Sequence, residues 1–130
     1  MKSILLGALM ALTITTVHGA ENAANAGRFL PECKAFLDNN TSGIPTSGTA
    51  LQGFCGGMVV GIALIAQPLF APGQSRGTER CMDIPENVTN RQLVETVVRY
   101  IEARPQRWSE QFRVLVVQAL FDGWPCKPNR

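Results

Sequence analysis

The chain contains one histidine, His18, and it lies inside a stretch that reads as a leader. No C-x-x-C pair occurs among the four cysteines, so a structural zinc site has neither paired thiolates nor imidazoles to use. A glycine-rich phosphate loop and D-x-D-x-D-G are both missing, which removes the signatures of nucleotide binders and calcium loops. Net charge is small too. The formal +2 falls to +1 when Lys2 is removed with the leader, leaving no electrostatic footprint for nucleic acid or an anionic membrane surface. There is no internal repeat and no low-complexity tract. Asp83 and Glu86 are the nearest thing to a carboxylate pair, and their place just before a helix start suits the positive end of its dipole. The reading is a binding protein with no cofactor and no metal, and not an enzyme.

What is present starts with "MKSILLGALMALTITTVHGA". Lys2 precedes an apolar run from Ile4 to Val17, and Val17 with Gly19 marks a cleavage site near Gly19/Ala20. The run is shorter than the roughly 20 residues a membrane span needs, and no cysteine near the cut offers a lipid anchor. Residues 1–19 are therefore expected to be a signal peptide and 20–27 a flexible N-terminus. Residues 28–126 form one domain, and 127–130 a tail. The mature chain is expected to be exported and to lie off the membrane.

The pattern of that domain is all-α: about four helices in two antiparallel hairpins. The clearest helix opens at "ENVTNRQLVETVVRYIEARP". Thr89 and Gln92 make a capping box, and Val88 with Leu93 a hydrophobic staple. Leu93, Val94, Val97, Val98 and Ile101 share one face, while Arg91, Glu95, Arg99 and Glu102 are spaced as charge pairs on the other. Pro105 ends that helix. The next runs from about Arg107 or Ser109 to Asp122, with Phe112, Leu115, Val116, Ala119 and Leu120 as its core face. Gly123 is expected in the left-handed conformation that stops a helix, ahead of Pro125. Upstream, helices are expected over about 28–39, with Pro31 in the first turn, and about 49–66. The segments 38–48 and 68–80 read as linkers.

All four cysteines fall in the domain, and an even count in an exported chain reads as two disulfides. In an antiparallel hairpin the start of one helix lies beside the end of the other. Cys81 precedes and Cys126 follows the second hairpin, so the two should clamp its open end. Cys33 and Cys55 sit at matching levels of the first. Pairing 33–55 and 81–126 closes loops worth about 3.4 and about 4 kcal/mol in chain entropy.

Gly53, Gly57 and Gly61 recur every four residues in "TALQGFCGGMVVGIALIAQ". Each costs about 1 kcal/mol of helix propensity relative to alanine. Close approach of another helix backbone, within the bundle or across a subunit interface, is the expected compensation. A membrane-spanning GxxxG helix is the alternative. The segment "APGQSRGTERC" (71–81) is polar, glycine-rich and anchored by Cys81. Gln74, Arg76, Glu79 and Arg80 there supply donors and charges for insertion into a partner's cleft, the alternative being a solvated connector.

"CGGMVVG" (55–61), "CMDIPENVTNRQLVETVVRYIEARP" (81–105) and "LVVQALFDGWPC" (115–126) together resemble the Rap/Tai family of type VI secretion amidase immunity proteins. The matching positions are Cys55, Gly57, Gly61, Cys81, Pro85, Val88, Thr89, Gln92, Leu93, Pro105, Pro125 and Cys126. Three residues separate Cys81 from Pro85 where the family pattern has fewer, and Trp124 stands where phenylalanine is commoner. The resemblance implies a periplasmic, homodimeric helical protein that blocks the cleft of a peptidoglycan amidase effector. A periplasmic helical binding module or an acid-stress chaperone without a toxin partner is the alternative.

Overall fold

The computed structural model describes residues 24–39, 50–73 and 80–127. The leader and the 40–49 linker lie outside that range. Among the described residues four α-helices make up the fold: α1 (Ala26–Asn39), α2 (Ala50–Phe70), α3 (Asn90–Glu102) and α4 (Phe112–Gly123). Every helix touches the other three, which closes a four-helix bundle around one core.

Helix α3 is the one most completely specified by local chemistry. Thr89 Oγ1 accepts from the Gln92 backbone N–H at 3.2 Å, and Gln92 Oε1 accepts from the Thr89 N–H at 2.8 Å. Leu93, Val94, Val97, Val98 and Ile101 are all buried. The charged face behaves differently from its spacing. Arg91 donates to the Leu37 carbonyl at 2.6 Å, and Glu102 accepts from Lys34 Nζ at 2.7 Å. Charges that could have paired along α3 instead fasten it to α1.

Helix α4 buries the expected Phe112, Leu115, Val116, Ala119 and Leu120. It begins later than the sequence pattern predicts, because residues 105–107 form a separate 3-10 turn. Gly123 is a correction. The one described glycine with positive φ is Gly73, at 83°, so Gly123 is helical rather than left-handed. Its need is steric: a Cβ there would lie 2.7 Å from Thr96 Cγ2 on α3. Termination falls to Pro125, which has no N–H to give.

Helix α1 starts at Ala26, two residues before the expected position, because the α3–α4 connector caps it. The Ala26 N–H donates to the Glu110 carbonyl at 2.9 Å and the Gly27 N–H to the Trp108 carbonyl at 2.8 Å. Asn25 Oδ1 accepts from the Arg28 N–H at 2.9 Å. Ala24 to Gly27, read from sequence as loose, are thereby tied down, and Pro31 falls in the second turn rather than the first. Ala26, Phe29, Leu30 and Cys33 face the core at helical spacing.

Helix α2 outruns its expected end at Ala66, continuing through Pro68 to Phe70. The tertiary structure supports the extra turn. Gln67 Nε2 donates to the Ile84 carbonyl at 2.9 Å, the Phe70 carbonyl accepts from the Met82 N–H at 2.8 Å, and the Phe70 and Phe121 rings meet edge to face at 5.0 Å.

Candidate functional site

Both disulfides form with the expected pairing. Cys33–Cys55 joins α1 to α2 with 5.4 Å between Cα atoms, and Cys81–Cys126 joins the segment before α3 to the segment after α4 with 5.3 Å. Cys33 and Cys55 are wholly buried, whereas Cys81 and Cys126 are half-buried. Of the four residues expected to meet a partner, Gln74, Arg76 and Glu79 lie outside the described residues. Arg80 is exposed beside the second disulfide.

Helix α2 is buried on one side only. Cys55, Gly56, Val59, Ala63 and Ala66 are buried. On the outer side Leu64, Ile65 and Leu69 are 60–68% exposed, and no charged residue occurs in the helix. A Cβ on Gly53, Gly57 or Gly61 would meet nothing within 4 Å, so among the described residues no helix backbone closes on the ridge. Close approach within the bundle belongs to Gly56, where a Cβ would lie 2.7 Å from Phe36 Cε2. By length and composition alone, Gln52–Phe70 could cross a membrane. Its inner face is nevertheless part of the bundle core.

A cleft of about 720 Å³ opens on the α3–α4 seam beside Cys81–Cys126. Tyr100, Phe121 and Pro125 give it aromatic and apolar surface, while Arg80, Arg107, Gln118, Asp122 and Lys127 give it polar surface. Tyr100 organises one end. Its hydroxyl donates to Gln118 Oε1 at 3.2 Å and accepts from Arg107 Nη1 at 3.1 Å. The Arg104 guanidinium carbon lies 3.7 Å from the Tyr100 ring centroid, a cation–π contact. From there Arg104 reaches the Tyr100 carbonyl at 3.1 Å and Asp122 at 4.0 Å.

Arg107 forks onto Glu110 through Nε and Nη2, each at 2.6 Å. The hydrogen bond from Arg107 holds the Glu110 carboxyl below its ordinary value, and the same bond raises the Arg107 guanidinium. Tyr100 and Arg107 carry no mark in the linear sequence that sets them apart from a solvated helix face. They converge with Gln118 only once α3 and α4 have packed. Arg80 and Lys127 join them because the disulfide brings both chain segments to the same end. The arrangement offers fixed hydrogen-bond donors, cations and a ring surface. That is the equipment of a binding site. Among the described residues no group of three or more His, Cys, Asp or Glu side chains could hold a metal ion.

Comparison with curated proteins and with solved structures gives no significant match. The family of Rap1a immunity proteins does match, over residues 25–126, a span that begins at the cap of α1 and ends on the cysteine that staples α4. Across that span the chain belongs to the Rap1a immunity protein family.

Proposed function

We propose that this chain is a periplasmic immunity protein that binds a peptidoglycan amidase effector of a type VI secretion system and blocks its active-site cleft. The observation that carries the reading is the family match across the whole disulfide-stapled bundle. An amidase acting on peptidoglycan works outside the inner membrane. Its inhibitor must fold there, where disulfides form and persist, and the leader-like residues 1–19 would take it there. Inhibition needs shape and contact chemistry and no turnover of its own, in keeping with a site built of donors, cations and rings.

Two further parts belong to the same proposal. The 71–81 segment, with exposed Arg80 just before its anchor at Cys81, enters the effector's cleft. The immunity protein also acts as a homodimer through the outer face of α2. There the open glycine ridge of Gly53, Gly57 and Gly61 and the exposed Leu64, Ile65 and Leu69 form a valley and a ridge on one uncharged helix. Two antiparallel copies would place each valley against the other's ridge, a self-complementary, isologous contact.

The deciding experiment expresses the amidase in the periplasm with and without this chain, alongside a peptidoglycan hydrolysis assay on the purified pair. Protection from lysis and loss of hydrolysis are expected. Full amidase activity at equimolar inhibitor would end the reading. For the dimer, sedimentation at micromolar concentration should give twice the monomer mass, and Gly57→Leu should reduce it.

A further inference from the structure

We infer that the open glycines of α2, Gly53, Gly57 and Gly61, keep the chain from being stopped in the membrane during its export. The inference rests on the periplasmic reading and adds to it a task that α2 performs before the protein folds. Gln52–Phe70 is 19 residues long and apolar enough to cross a bilayer, and it carries no charge. Of that stretch 28% is buried, so the core alone does not demand its composition. An exported chain meets the membrane unfolded, before any bundle can shield the segment. A second apolar span behind the leader would lodge in the bilayer and leave residues 71–130 on the wrong side.

A charge is the strongest means of passing such a segment through, because one Lys or Asp near its centre opposes insertion. That means is closed to α2 if its outer face is to meet a second copy. Leu64 and Ile65 supply apolar surface there, and an unpaired charge buried between two copies would undo the contact. Glycine answers both demands. It brings no charge to the contact and no apolar side chain to the drive into lipid. Nothing within the protomer otherwise requires it at these positions. A Cβ at 53, 57 or 61 would meet nothing within 4 Å, and each glycine weakens the helix relative to alanine. Gly56 is the contrast, since packing against Phe36 excludes a Cβ there.

The same open space makes the test possible, because side chains added at the three positions start away from the bundle. The full chain, with its leader and with an epitope after Arg130, is pulse-labelled in cells, and protease is then added to spheroplasts. The unmodified tail should be cut. With Gly53→Leu, Gly57→Leu and Gly61→Leu together, about half or more of the tails should be protected and should sediment with membranes. Cys81 and Cys126 of that fraction should remain reduced, as thiols on the cytosolic side do. Adding Leu64→Lys to the triple variant should restore release, since this position is exposed in the fold and lies near the centre of the stretch. A triple variant released like the unmodified chain overturns the inference and leaves the immunity reading standing. Retention that Leu64→Lys does not relieve also overturns it, because the membrane is then not what holds the chain. An unmodified chain whose tail stays protected overturns the inference and the periplasmic reading together.

Discussion

The backbone N–H of Cys126 donates to the Cys81 carbonyl at 3.2 Å, and a disulfide joins the same two residues. The pairing holds a near-terminal segment against the start of the second hairpin, with Met82 bridging to Pro125 alongside. Cys126→Ser should therefore lower stability by about 2–5 kcal/mol in chemical denaturation, the usual range for a lost native disulfide. Burial also orders the two bridges. Under native conditions a thiol reductant should open 81–126 first, while wholly buried 33–55 resists. Alkylation and mass mapping that found Cys33 or Cys55 labelled earlier would contradict this.

Glycines with opposite surroundings should respond oppositely to the same methyl group. Gly123→Ala drives a Cβ toward Thr96 Cγ2 and should destabilise by about 1–3 kcal/mol as overpacking. Thr96→Ser, by removing that methyl, should recover much of the loss. Gly57→Ala enters open space within the protomer and should add up to about 1 kcal/mol of helix propensity. Equal destabilisation at both positions, measured on monomer in denaturant, would show that the α2 ridge is closed by something within the chain.

Thr89→Ala should cost about 1 kcal/mol, because it removes the oxygen that accepts the Gln92 N–H. Gln92→Ala should cost a comparable amount through the reciprocal bond, and the double variant less than the sum. Thermal melts of the four proteins give the comparison, and strict additivity would mean that the two bonds are not a coupled box.

The Arg107–Glu110 fork sets a pH dependence of defined sign. The Glu110 carboxyl titrates lower in the folded protein than its ordinary value of 4.5, chiefly through the Arg107 hydrogen bond. The fork thus contributes stability above the unfolded value, and that contribution fades as the pH falls through the folded one. Glu110→Gln should melt below the unmodified protein near neutral pH, with the gap closing as the pH falls below the ordinary carboxylate value of 4.5. A gap that stays constant across the range would remove Glu110 as its source.

Helix α3 was legible in the sequence almost to the residue, because box, staple and apolar stripe are all local and agree with one another. The cysteine pairing was legible too, since antiparallel hairpins leave few ways for their ends to meet. Helix α1's start was hidden. Its amides are satisfied by carbonyls of Trp108 and Glu110, some eighty positions away, and no local pattern announces such a partner. Pro68 hid the end of α2 for a related reason: the support for that last turn comes from Ile84, Met82 and Phe121. The cleft was half legible. Arg80 could be picked out from its anchored segment, whereas Tyr100, Arg107 and Gln118 become one unit only through tertiary packing.

The connector that caps α1 also dictates an order of events. Ala24 accepts from the Phe112 N–H at 2.9 Å, and the next residues of α1 lean on Trp108 and Glu110. Whether the chain emerges from a ribosome or is threaded through a membrane pore, it delivers Ala24 first and Phe112 last. During that interval the first helix has bare amides at its start, and its hairpin lacks the layer that would cover it. Contacts between distant parts of a chain are also slow to form. By either route the bundle is thus disinclined to close before the connector at residues 108–112 has been delivered.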